Sequence, residues 1–278
     1  MKTKYLVLAI SILFLGITSC NKEEKKDADL SKSIADVEAN VYSDEFEKSA
    51  DIVSFDKLSS GNNQNGQNGP LPLCAVVTID YPEGAPFPKV ITIDYGDVNC
   101  EVRPNLYKRG KEIISISDSL VNLDAERTLT FENYFINDNE VLGYKKLTNT
   151  GENLDGFMNF SIDNDLSIGE WTRVSVGTKI WIEGFDTLGP HDNVFLLDGS
   201  SLTTLADGTS ISRTITQSLR IDRLCGYITE GIVSIVWNDS NTAILDYGDG
   251  SCDDQAVIFI NDQEFEINLH HFGSRRIH

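Results

Sequence analysis

Four cysteines in the body of the chain have a spacing that suits oxidation to disulfides. Cys74, Cys100, Cys225 and Cys252 form an even set, which is typical of exported proteins with paired cysteines. Three pairings are possible, and the spacing favours Cys74–Cys100 with Cys225–Cys252, which close two loops of nearly equal length. Zinc binding is the alternative, but no Cys-x-x-Cys pair occurs and no histidine stands at ligand spacing from a cysteine.

An acidic loop near the C-terminus could bind a hard cation. Asp246, Asp249 and Asp253 lie in a glycine-containing segment, and calcium prefers several oxygens from such a turn. The spacing is not that of an EF-hand, and a strand-ending turn capped by its own aspartates is the alternative. No cofactor is otherwise expected, and calcium at these three aspartates is kept as a hypothesis.

The fifth cysteine, Cys20, has a different setting. Lys2 and Lys4 precede an apolar run from Leu6 to Leu15, which is too short to span a bilayer and typical of a signal peptide. The following residues, 17–19, lead into Cys20 and resemble a bacterial lipobox. The pattern predicts a signal peptide over residues 1–19 and acylation of Cys20, so that the protein contacts the membrane through a lipid anchor. An ordinary signal peptide with an incidental cysteine is the alternative.

The residues behind Cys20 bear on which side of the membrane the protein faces. Lys22 is followed by Glu23 and Glu24, an arrangement similar to the surface-export signal of Bacteroidetes lipoproteins. A solvated charged tether would have the same composition. The expected location is the outer membrane, with the protein facing the cell exterior.

Overall charge limits the class of partner. The chain has 23 Lys and Arg against 43 Asp and Glu, a formal net charge of −20. Such a surface repels nucleic acid, so DNA and RNA are not expected as partners.

Catalytic chemistry has weak support in the sequence. His191 is the only histidine in the body of the predicted domain, and no Gly-x-Ser-x-Gly nucleophile motif accompanies it. A pair of carboxylates could hydrolyse a glycoside, but only their separation in space would decide this. The protein is therefore expected not to be an enzyme, with a carboxylate-based glycoside hydrolase as the alternative.

Aromatic side chains could form a platform for a glycan or a protein ligand. Aromatic residues in strands more often belong to the core, which is the competing interpretation. The set to examine is Trp171, Trp181, Trp237, Tyr134, Tyr144 and Phe185.

Two kinds of segment must position these residues. Residues 20–70 read as a lipidated tether, with helical spacing of apolar residues over 30–57 and an Asn/Gly/Gln-rich linker over 59–70. Residues 71–272 alternate apolar and polar positions between turn signals, and 273–278 form a tail. This pattern predicts one all-β domain, an antiparallel meander of about a dozen strands curled into a sandwich or a barrel-like shape.

The segments 74–118 and 225–269 resemble each other. Asp94-Tyr95-Gly96-Asp97 precedes Cys100 in the first, and Asp246-Tyr247-Gly248-Asp249 precedes Cys252 in the second. We therefore expect two related three-stranded units, with residues 111–114 of the first matching residues 264–267 of the second.

Several motifs resemble a family of uncharacterised lipoproteins from Bacteroidetes. They are Ile91 to Gly96, Lys108 to Lys111, Thr130 to Asp138, Trp181 to Thr187 and Leu245 to Asp253. The likeness covers residues 72–269 and implies an exported lipoprotein without implying an activity. The expected function is that of a membrane-anchored, cell-surface, non-enzymatic binding or envelope-associated module, and a purely structural surface spacer is a further alternative.

Overall fold

The computed structural model describes residues 20–55, 71–84, 86–185, 192–225, 227–238 and 241–269. One helix, α1 (Cys20–Phe55), precedes fourteen strands. The strands are β1 (Val76–Asp80), β2 (Lys89–Asp94), β3 (Cys100–Arg103), β4 (Leu106–Ile116), β5 (Glu126–Ile136), β6 (Asn139–Glu152), β7 (Met158–Ile168), β8 (Trp171–Glu183), β9 (Val194–Thr204), β10 (Ser210–Asp222), β11 (Ile228–Trp237), β12 (Asn241–Asp249), β13 (Gln255–Ile260) and β14 (Gln263–Asn268).

The strands form a single antiparallel sheet whose order follows the chain. Each strand pairs with the next, except that β2 pairs with β4 while the short β3 pairs with β4 alone. The predicted all-β meander is therefore confirmed. Along the described residues, β1 and β14 are the two edges and do not pair with each other, so the sheet is not closed.

Local sequence explains both the strands and their turns. In β11, Val233, Ile235 and Trp237 are buried and the residues between them are partly exposed, as expected for a strand with one face on a core. The hairpin between β5 and β6 turns at Asn137 and Asp138, whose φ angles are 47° and 65°. Asparagine and aspartate tolerate such positive φ values, which type I′ hairpin turns require at both central positions.

The sheet curls around α1. Residues of β4, β6, β8 and β10 all contact this one helix, through Lys108, Lys145, Arg173 and Arg213. In a flat sheet, β4 and β10 would lie about 29 Å apart at the usual strand spacing of about 4.8 Å, which is far more than the width of a helix. The sheet must therefore bend so that its inner face surrounds α1.

The helix is part of the domain and does not serve only as a tether. A helix was expected over residues 30–57, and α1 covers Cys20–Phe55. Val37, Tyr42 and Phe46 are almost fully buried in the two hydrophobic clusters of the sheet. The prediction of a tether over residues 20–70 is therefore incomplete. The part that forms α1 supplies core residues, because its apolar and small side chains fill the groove of the curled sheet. The linker predicted over residues 59–70 lies outside the described residues.

The two repeated segments share a local structure up to the second cysteine. Asp94 and Asp246 each accept a hydrogen bond from the backbone N–H of the glycine two residues later, at 2.8 and 2.9 Å. Those glycines, Gly96 and Gly248, have φ angles of +80° and +99°, which a side chain at that position would disfavour. The intervening tyrosines, Tyr95 and Tyr247, both point into the core.

The third strand of the repeat differs from the expectation. In the first copy β2 pairs with β4, which contains residues 111–114, whereas in the second copy β12 pairs with β13. Residues 264–267 lie on β14, one strand further out. The expected match of 111–114 with 264–267 is therefore wrong in space, because the hairpin after the cysteine joins the sheet by its second strand in one copy and by its first strand in the other.

Candidate binding site

Both predicted disulfides are present. Cys74 bonds to Cys100 and Cys225 bonds to Cys252, with Cα atoms 5.9 and 5.5 Å apart. Each joins the chain before the first strand of a repeat to the chain after its second strand, at the start of β3 for Cys100 and in the loop before β13 for Cys252. The cysteines are therefore structural, and they hold the two tyrosine-bearing turns.

The three aspartates of the acidic loop do not converge on a common point. Asp246 caps Gly248, Asp249 accepts from both the N–H and the hydroxyl of Ser251, and Asp253 accepts from the N–H of Gln255. Within the described residues, no group of three histidine, cysteine, aspartate or glutamate side chains could hold a metal ion. The geometry gives the calcium hypothesis for this loop no support, because each carboxylate accepts hydrogen bonds within its own turn.

Most of the aromatic set lies in the core. Tyr134 and all three tryptophans, Trp171, Trp181 and Trp237, are buried. Phe185 is 60% exposed and meets the edge of Trp181 with ring centroids 6.4 Å apart. The structure does not bring the set together as an exposed platform for a flat ligand. His191 lies outside the described residues.

The interior of the sheet instead holds a cluster of charges around two carboxylates of α1. We name it the Glu47–Asp51 cluster, and it comprises Glu47, Asp51, Arg127, Lys145, Lys179 and Arg223. Arg127 contacts both carboxylates, and its Nη1 lies 2.6 Å from Asp51 Oδ1. Lys179 Nζ lies 3.0 Å from Asp51 Oδ2 and 3.1 Å from Glu47 Oε1. Arg223 contacts Asp51, and Lys145 Nζ lies 3.5 Å from Glu47.

The charge states in this cluster are those of ion pairs. Burial alone would raise the pKa of Asp51, but the charges of Lys179, Arg223 and Arg127 lower that pKa to about 2. The pKa of Glu47 is likewise well below its usual value, because Arg127 and Lys179 outweigh the effect of burial. A glycosidase acid needs a carboxyl with a raised pKa. These two carboxylates therefore do not suit that role.

A second group of charges lies nearer the start of α1. Asp36 has no exposed surface, and its carboxylate lies 3.0 Å from Arg173 Nη1 on β8 and 3.4 Å from Arg213 Nε on β10. Tyr247 of the second repeat accepts a hydrogen bond from Arg213 at 3.4 Å. Burial raises the pKa of Tyr247, so its hydroxyl stays protonated at neutral pH.

A third group connects α1 to the first repeat. Lys108 donates to Ser49 of α1 at 2.9 Å and to Glu112 at 3.2 Å, and Tyr134 donates to Glu112 at 2.7 Å. Burial and the nearby Glu112 carboxylate raise the pKa of Tyr95 to about 12. In each repeat a protonated tyrosine therefore lies beside a basic side chain that contacts the helix. These pairs are Tyr95 with Lys108 and Tyr247 with Arg213.

A cavity lies between the two repeats and against α1, and we name it the inter-repeat cavity. Its volume is about 430 Å³, within the range of small-molecule sites. Its wall is mainly apolar and includes Tyr95, Val102, Tyr227, Ile228, Tyr247 and Leu269. Lys48 and Arg103 on its rim keep 30% and 32% of their side-chain surface exposed, so the cavity meets solvent there.

Sequence reasoning did not predict the buried charges or the cavity. The spacing of basic and apolar residues in the strands could have indicated the buried charges. Residues two positions apart share a face of a strand, and Lys145 stands two positions from the buried Leu147, as Lys179 does from the buried Trp181. Basic residues on the buried face of several strands require acidic partners inside the sheet. Apart from Glu112 of β4, these partners come mainly from α1, whose acidic residues read equally well as a solvated face.

Comparison with known proteins adds no relative. No family model, curated protein or solved structure matches the chain. The function therefore has to be argued from the site itself.

The described helix does not have the character of a membrane span. α1 is long enough to cross a bilayer but carries too many charges to do so. The side chain of Cys20 lies outside the described side chains, although its backbone begins α1.

Proposed function

We propose that the protein is a lipid-anchored binding protein of the outer membrane, facing the cell exterior, that holds a small and mainly apolar ligand in the inter-repeat cavity without transforming it. The cavity itself is the observation that carries this proposal. Its volume of about 430 Å³ would take a ligand of modest size, and its apolar wall would supply affinity by excluding water.

The chemistry of the residues that line the cavity supports binding over catalysis. The titratable groups at the cavity are committed to structural contacts, since Lys108 pairs with Glu112 and Arg103 lies 3.1 Å from Glu45. The tyrosines Tyr95 and Tyr247 have raised pKa values and would act as hydrogen-bond donors toward a polar group of the ligand. These features favour a site that orients a ligand through one or two polar contacts.

Blocking the cavity is expected to abolish binding. Val102 lines the cavity, and Val102→Trp would fill part of it with a large side chain. With the amphiphilic anionic fluorophore 1-anilinonaphthalene-8-sulfonate as the probe, we expect saturable fluorescence enhancement in the wild type and at least a several-fold weaker response in the variant. Competition by dodecanoate would report on the same site.

Val98→Trp is the matched control, because Val98 is 77% exposed on the loop before β3 and does not line the cavity. Both variants should keep the near-ultraviolet circular dichroism of the wild type, which separates ligand binding from dye uptake by a loosened fold. Equal dye binding by Val102→Trp and the wild type would reject the cavity as the site.

Anchoring is expected to depend on Cys20 alone among the cysteines. Cys20→Ser should remove labelling by a radioactive fatty acid and shift the protein from the membrane to the soluble fraction, because a lipid chain attached at this sulfur would be the membrane contact. Fatty-acid labelling and cell fractionation measure this. A labelled Cys20→Ser protein would contradict the proposed anchor, and protease shaving of intact cells would test the outward orientation.

A further inference from the structure

A second cavity lies inside the curled sheet, beside α1 and under strands β7 to β10, and we name it the cationic cavity. Its volume is about 100 Å³, room for a few water molecules or one small oxyanion. Five basic side chains line it: Lys145, Arg173, Lys179, Arg213 and Arg223. All five are at least nine-tenths buried.

The carboxylates around this cavity do not balance its cations. Asp44, Glu47 and Asp198 line it. Asp36 and Asp51 do not line it, but they contact the lining cations Arg173 and Arg223. Asp198 accepts two contacts from the Ser218 hydroxyl, and Asp44 pairs with Lys48. With Arg127 included, six buried cations face these five carboxylates. This excess is buried in a chain whose formal net charge is −20.

Several polar atoms at the wall have no hydrogen-bond partner among the described residues. They include Nε and Nη1 of Arg223 and the hydroxyl oxygen of Ser201, all buried. A buried donor without a partner costs free energy, and a buried cation without a counter-charge costs more. The wall therefore presents donors and positive charge that the chain itself does not use.

We propose that the cationic cavity binds a small oxyanion, a carboxylate, phosphate or sulfate group, through Arg223 and the charge of Lys145. Guanidinium groups form charge-assisted hydrogen bonds to such anions, and these bonds are stronger than neutral ones. One bound anion would pair the unused Arg223 donors and reduce the excess positive charge.

The state of Lys145 agrees with this assignment. Burial lowers the pKa of Lys145, and the attraction of Glu47 and Asp44 does not offset that effect. The charges of Arg127 and Lys179 lower this pKa as well, and a bound oxyanion would counter their effect.

The oxyanion has two possible sources. Asn40, Asp44 and Ile228 line both this cavity and the inter-repeat cavity, so the two are neighbours. A free inorganic anion could occupy the cationic cavity by itself, or the acid group of a ligand in the inter-repeat cavity could reach it. Only the second source depends on the function proposed above.

Isothermal titration of the purified protein tests the site at constant ionic strength, with chloride as the balancing anion. We expect saturable binding of inorganic phosphate or sulfate, or of dodecanoate. Arg223→Gln should weaken that binding about tenfold or more, because it removes a charge-assisted hydrogen bond. Arg220→Gln is the matched control: Arg220 lies near the end of β10, three residues before Arg223, pairs with Glu183 at 2.7 Å and does not line the cavity.

Arg223→Gln also takes one cation from Asp51, so a second variant guards against a loss of folding. Lys145→Gln leaves the pair of Arg223 with Asp51 intact, and it should also weaken binding. Phosphate binding that survives Val102→Trp would assign the site to a free oxyanion. Dodecanoate binding that both Val102→Trp and Arg223→Gln abolish, without phosphate binding, would assign it to the acid group of a ligand. Absence of binding by all three probes, or equal affinities in folded Arg223→Gln and Arg220→Gln, would overturn the proposal.

Discussion

Removal of residues 20–55 is expected to prevent the strands from forming a stable domain. The deletion takes Tyr42 and Phe46 out of the hydrophobic core. It also leaves Arg127, Arg173 and Lys179 buried without their carboxylate partners. Each unpaired buried charge costs several kcal/mol, and a whole domain is typically stable by only about 5–15 kcal/mol. Circular dichroism and limited proteolysis of the fragment 56–278 should therefore report an unfolded or aggregated chain.

The control for this deletion is restoration of the helix from outside. A synthetic peptide of residues 20–55 should recover the near-ultraviolet spectrum and protease resistance, because the contacts between α1 and the sheet are side-chain contacts that need no covalent link. A fragment that unfolds cooperatively within a few degrees of the intact protein would contradict the role given to α1.

Asp51→Asn is expected to destabilise the protein by about 3–5 kcal/mol, the usual cost of removing one partner from a buried ion pair. Asp51 contacts three cations, and the asparagine would leave Arg127, Lys179 and Arg223 with Glu47 as their nearest carboxylate in the cluster. Urea unfolding followed by tryptophan fluorescence measures the change in the free energy of unfolding.

Asp165→Asn provides the comparison for the same chemical change on an exposed residue of β7. It should alter stability by less than about 0.5 kcal/mol, as surface substitutions usually do. If Asp51→Asn had an equally small effect, the Glu47–Asp51 cluster would not contribute to stability as its geometry indicates.

Much of the sheet could be predicted because its strands carry a local pattern. β11 and β12 alternate apolar and polar residues, and Asn137-Asp138 and Asn261-Asp262 mark hairpin turns at which both residues have positive φ. The disulfide pairing followed from the repeated spacing of the cysteines. These features depend on neighbours in the chain, so the sequence displays them directly.

The interior could not be predicted because it depends on distant partners. Asp36, Glu47 and Asp51 have the residue types of a solvated helix face, and they are buried only because basic residues of the strands surround them. The short β3 has no distinct local pattern either, because it pairs with β4 alone and contains only four residues. The inter-repeat cavity arises from the curl of the sheet, which no single segment encodes.

The position of α1 ahead of all its partners has a consequence for the order of folding. Neighbouring strands meet through local hairpins, and such contacts form quickly. The helix instead contacts residues that are distant in the sequence. Asp51 is 76 residues from Arg127 and 172 from Arg223, and Lys32 is 175 residues from Asp207. We therefore expect the acidic helix to be buried only after the basic strands have paired, so that its docking is one of the last steps of folding.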